Sequence, residues 1–97
     1  MAGEDSTAWP VDGIKVYKSM VWVGRMVEEL LPPQPRQDYL ELLEAGEEQL
    51  ALDHVASWLA EDEAPIPAEL REEMLALAEV FGMTETITRL LSFCPAS

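Results

Sequence analysis

From Ile14 onward the chain places apolar residues at Val16, Met20, Val23, Val27 and Leu30, three or four positions apart. That is the period of a helix with one buried face, and it predicts a helix from about Ile14 to Leu31, with Asp12 as its cap. The segment is rich in β-branched residues, so a strand over Ile14–Trp22 stands as the alternative. Pro32 and Pro33 stop the pattern, and Pro32–Pro35 reads as a short stiff connector. A second helix follows from Arg36 to about Ala45, with Tyr39, Leu40, Leu42 and Leu43 expected inward, and Gly46 ends it.

Glu47 and Glu48 open a third helix, where carboxylates suit the positive N-terminal end of the helix dipole. Its apolar set is Leu50, Ala51, Val55, Trp58 and Leu59. The run Glu61–Pro67 is a turn, and Pro67 suits the start of a fourth helix carrying Leu70, Met74, Leu77, Ala78 and Phe81. Gly82 ends that helix, and Thr84 or Thr86 starts a short fifth one with Ile87, Leu90 and Leu91. The expected fold is therefore all-α: one compact bundle of four to five short amphipathic helices over residues 1–97, with residues 1–12 as a loose arm. Met20, Met26, Met74 and Met83 fall at helical spacing and read as core filler.

Composition sharpens this picture in one respect. Ninety-seven residues, 48% of them hydrophobic, suffice for a single core. The net charge of −13 is far from neutral and unevenly spread. Residues 1–35 carry five acids against three bases; residues 36–97 carry fourteen acids against Arg36, Arg71 and Arg89. Such a surface repels phosphates and steers basic partners, so nucleic acid and anionic membrane are excluded as expected partners and a basic protein is favoured. Solubility alone also accounts for an acidic surface.

Catalytic constellations are missing from the sequence. His54 is the single histidine and Cys94 the single cysteine, which sits in a tail. No glycine-rich phosphate loop, nucleophile elbow, zinc spacing or calcium loop is present, so no enzyme activity, cofactor or metal is expected. His54 reads as a boundary residue packing its ring. An unpaired cysteine, an acidic N-terminus and the lack of a spanning apolar run lead to the expectation of a cytoplasmic protein, monomeric or weakly dimeric.

The informative feature is where the acids lie. Glu61, Asp62 and Glu63 follow the third helix at its C-terminal end, where free carbonyls already make the potential negative. Each works against the helix by about 0.3–1 kcal/mol if it lies within the last turn. Local rules are usually broken where function requires it. These three, with Glu69, Glu72 and Glu73 leading into the fourth helix, form the first expected partner-binding patch, and Glu44, Glu47 and Glu48 form a second. The alternative reading is a solvated turn that tolerates acids. Trp22 and Trp58 are either core residues or interface anchors.

The stretch Tyr39-Leu40-Glu41-Leu42-Leu43-Glu44-Ala45-Gly46-Glu47-Glu48-Gln49-Leu50-Ala51-Leu52-Asp53, then Trp58-Leu59 and an acidic turn into Pro65-Ile66-Pro67, resembles small helical immunity proteins of bacterial toxin systems, the MafI-type and related families. The similarity covers about Tyr39 to Met83; Asp53 stands where the pattern carries glutamate, and residues 1–35 match no part of it. The resemblance implies an immunity protein that binds a cognate toxin domain, a nuclease above all, and occludes its basic cleft with an acidic surface. The alternative is an acidic helical chaperone or adaptor for a secreted effector or a basic regulatory protein.

Overall fold

The computed structural model describes residues 3–97, with side chains described from residue 13 onward. Five α-helices follow in order: α1 (Gly3–Met26), α2 (Pro33–Glu44), α3 (Glu48–Glu61), α4 (Ala68–Phe81) and α5 (Thr84–Leu91), with a 3₁₀ turn at Val27–Glu29 after α1. The all-α expectation holds, and Ile14–Trp22 is helix rather than strand. The expected arm over residues 1–12 lies outside the residues whose side chains are described; the helical backbone runs from Gly3.

α1 gives way to the tighter turn before the expected Leu31. Leu30 and Leu31 both donate their N–H to the Val27 carbonyl, at 2.9 and 3.0 Å. A residue preceding proline disfavours helical backbone, so the chain must leave the helix ahead of Pro32 and Pro33. The prolines themselves are not a connector. Pro32 caps α2 and Pro33 and Pro35 occupy its first turn, where the N–H groups that proline lacks have no intrahelical partner to lose.

Helix ends follow one backbone device three times. At the end of α2, Gly46 (φ 78°) donates to Leu43 and Glu47 to Leu42. At the end of α4, Gly82 (φ 70°) donates to Glu79 and Met83 to Ala78. At the end of α3, Glu63 donates to Ala60 and Ala64 to Leu59. These are paired Schellman bonds, which satisfy the last free carbonyls by turning one residue left-handed. The third of them does so without a glycine, since Glu63 itself has φ 49°.

The core is one cluster. Met20, Val23 and Val27 of α1 meet Tyr39 and Leu43 of α2, the inner face of α3 (Ala51, Leu52, Val55, Ala56, Leu59) and Leu70, Met74, Leu77 and Ala78 of α4. Ile87 and Leu91 of α5 close it. Among the methionines read as filler, Met20 and Met74 are fully buried and Met26 and Met83 pack against the cluster. Two of the expected inward residues are not inside: Leu40 is 41% exposed and Leu50 55%. Each sits at the edge of its helix's apolar stripe, and the neighbouring helix covers the other edge.

Cys94 lies in the C-terminal tail, as the sequence places it, but the tail is not loose. The cysteine is buried, because the C-terminal segment folds back over the α3–α4 connector. Ile66 pairs with Ala96 in a single parallel bridge, with Ile66 N–H on the Pro95 carbonyl at 2.9 Å and Ser97 N–H on the Ile66 carbonyl at 3.1 Å. Arg71 of α4 fastens the same segment. Its guanidinium donates to the Leu91 carbonyl at 2.8 Å and the Cys94 carbonyl at 2.6 Å, a cation on the negative end of α5. Burial pushes the Cys94 thiol above its ordinary pKa, partly opposed by the Arg71 charge.

A lysine at position 71 cannot reach two carbonyls in a fork. Arg71→Lys is expected to cost roughly 1–3 kcal/mol, the value of a charge-assisted bond. Labelling of Cys94 by a thiol reagent should accelerate in parallel, because the buried, protonated thiol reacts only when the segment opens. Unchanged labelling would show that Arg71 does not hold the tail.

Candidate functional site

Glu61, Asp62 and Glu63 are all exposed at the end of α3, with no basic residue in that helix's last turn. Glu69 stands exposed in the first turn of α4 and Glu72 one turn further on, so these five acids lie on or beside one connector, residues 62–67. Glu73 departs from them. It is half-buried and accepts a hydrogen bond from the Ser19 hydroxyl of α1. Successive residues of a helix point about 100° apart, so Glu72 and Glu73 fall on opposite sides of α4's outer face.

The second expected patch also divides. Glu44 and Glu47 are exposed at the α2–α3 turn, while Glu48 is half-buried in a groove between α1 and α4. That groove holds Glu73 as well, so one acid from each expected patch meets there, beside Lys15 and Gln49. The two exposed groups lie at opposite ends of α3, roughly 20 Å apart for 14 residues at 1.5 Å each. The acids form two separate surfaces and one groove, not a single face.

Little in the fold neutralises them. Among the described residues the one ion pair is Arg36 with Glu28, at 4.0 Å and largely exposed, a geometry that contributes little. Arg71 spends its charge on carbonyls.

The acidic corner after α3 also carries backbone strain. A non-glycine residue in the left-handed region costs about 1–2 kcal/mol, and the two equivalent helix ends here use glycine. Glu63→Gly should therefore raise stability by about 1 kcal/mol, the relief being partly offset by glycine's greater freedom in the unfolded chain. A chemical-denaturation midpoint that fails to rise would remove strain from the account of this turn.

His54 reaches across to α2, its Nε2 3.1 Å from the Pro35 carbonyl. A carbonyl can only accept, so this nitrogen carries the proton and serves as a tie between α3 and α2. Asp53 and Ser57 share its surroundings, and among the described residues no hydrogen bond joins Ser57 to His54. No group of three or more His, Cys, Asp or Glu is placed to hold a metal ion among the described residues. No helix there is long and apolar enough to cross a membrane.

The outer face of α3 holds what the sequence reading passed over. Leu50, His54 and Trp58 form the floor of a shallow groove of about 730 Å³, with Leu42 of α2 on one side and Leu90 and Phe93 on the other. Trp58 is half-buried there, and Trp22, on α1, is 37% exposed. The stripe at positions 50, 54, 58 and 61 is visible in the helical period; its walls come from elements distant in sequence. Compared with known proteins, the chain matches no family model, no curated protein and no solved structure.

Proposed function

We propose that this chain is a non-catalytic acidic binding protein that neutralises a basic toxin domain by covering its substrate cleft. The observation that carries the reading is the corner at Glu61, Asp62 and Glu63. Three exposed acids sit on the negative end of a helix, without a cation in its last turn, and one of them holds a strained left-handed backbone. Each choice costs stability, and a basic partner would convert all three into favourable contacts. A nuclease cleft attracts polyanions, so an acidic surface enters it as a phosphate mimic with steered association. The immunity-protein resemblance supports the same reading. It requires no cofactor.

The test is a titration against the protein encoded by the adjacent gene, prepared as an inactivated variant if toxic. One-to-one binding that weakens with salt and abolishes the partner's activity supports neutralisation. Binding that leaves the activity intact would move the protein to the adaptor class. Leu50 and Phe93, both exposed and lining one groove, give that second reading its own support, since a contiguous exposed apolar patch marks an interaction surface.

A further inference from the structure

The groove on the outer face of α3 is apolar where a surface helix is ordinarily polar. Leu50 at its near end is 55% exposed and Phe93 on the far wall 56% exposed, with the Trp58 ring between the helices. Its charged lining is of one sign: Asp53 and Glu61 carry carboxylates, and no lysine or arginine lines it. His54 turns its Nε2 to the Pro35 carbonyl. Glu61 belongs both to the groove lining and to the exposed acidic corner that continues with Asp62 and Glu63.

Apolar floor, acidic rim and length together specify an occupant. From Leu50 to Glu61 the floor runs about 16 Å, three helical turns. The floor and most of the walls are backbone of α2, α3 and α5, and Phe93 lies in the turn that follows α5 with its N–H bonded to the Leu90 carbonyl, so the groove presents no strand for an extended peptide to pair with. A helix brings its own backbone bonds and needs only side chains to dock. We infer that this groove binds a basic amphipathic helix of a partner protein, about 12 residues long, whose apolar stripe seats on Leu50, Trp58 and Phe93 while its lysines or arginines meet Asp53 and Glu61. This stands apart from the toxin-neutralising reading, because it specifies what the groove accepts whichever protein carries it.

The probe is a synthetic amphipathic peptide of leucine and lysine, about 12 residues long, titrated into the full ¹⁵N-labelled chain. A peptide of the same composition, scrambled to destroy the stripe, serves as control. Shift changes are expected at Leu50, Asp53, Ser57, Glu61 and Phe93 and at the Trp58 indole. The scrambled peptide should bind at least about tenfold more weakly. Leu50→Gln and Phe93→Gln should each weaken the amphipathic peptide similarly; both side chains are more than half exposed, so the fold persists and the spectrum verifies it. Equal binding of both peptides, changes confined to residues 44–48 or 69–73, or no binding would overturn the inference. So would groove shifts that grow with protein concentration alone, which would make a second copy the occupant.

Discussion

Truncating Tyr39 to alanine should cost about 4 kcal/mol, enough to leave much of the chain unfolded at physiological temperature, since domains of this size are stable by roughly 5–15 kcal/mol. Tyr39 is among the largest fully buried side chains, and it is the seam between α1 and α2. Its ring lies over Gly24, where an added Cβ would stand 3.1 Å from Cε2. Its hydroxyl donates to the Met20 carbonyl at 2.6 Å, one turn earlier on the same helix. Removing the ring therefore opens a cavity that α1 cannot close without breaking its packing on α4. Urea unfolding followed by far-ultraviolet circular dichroism measures it; a loss below about 1 kcal/mol would show that the seam is not where α1 is held.

The hydroxyl has a separate signature. Burial raises the Tyr39 pKa well above the ordinary tyrosine value of 10.0. The folded state then keeps a proton that the unfolded state releases, so the contribution of this group to stability is constant below about pH 10 and falls as pH rises beyond it. Tyr39→Phe should cost about 1 kcal/mol at neutral pH and flatten that alkaline decline. Tyr17 remains as an exposed tyrosine in both proteins, which makes the difference between the two curves specific to the buried phenol.

The fold was legible because local signals agree with one another. Helical spacing in α3 to α5, prolines at helix starts and glycines at two helix ends all point to the same boundaries, and the structure keeps them within a few residues. What the sequence could not convey is long-range. Nothing near Cys94 announces that Arg71 and Ile66 hold its segment down. Leu40 and Leu50 are as apolar as their buried neighbours; only the position of the adjacent helix decides which edge of a broad stripe is covered. The left-handed turn at Glu63 lacks the glycine that would signal it. The acids after α3 were readable as exposed because they interrupt the apolar period. Glu73 differs from them through helix phase, which turns it towards Ser19.

Reversing Glu61, Asp62 and Glu63 to lysine should weaken binding to a basic partner by at least about 100-fold, near 3 kcal/mol, as like charges meet across the contact. The same substitution should leave the isolated protein as stable as before or slightly more so. Lysine complements the negative end of α3, where each exchange is worth about 0.3–1 kcal/mol before solvent screening reduces it, and none of the three side chains is buried. Opposite signs in binding and stability would identify these acids as retained for recognition against the preference of the helix that carries them. Binding measured by calorimetry at two salt concentrations, beside thermal unfolding of the free proteins, separates the outcomes. Parallel losses would mean that the corner is structural. Undiminished affinity would transfer the contact to Glu44 and Glu47 at the other end of α3, whose reversal then becomes the variant expected to fail in binding.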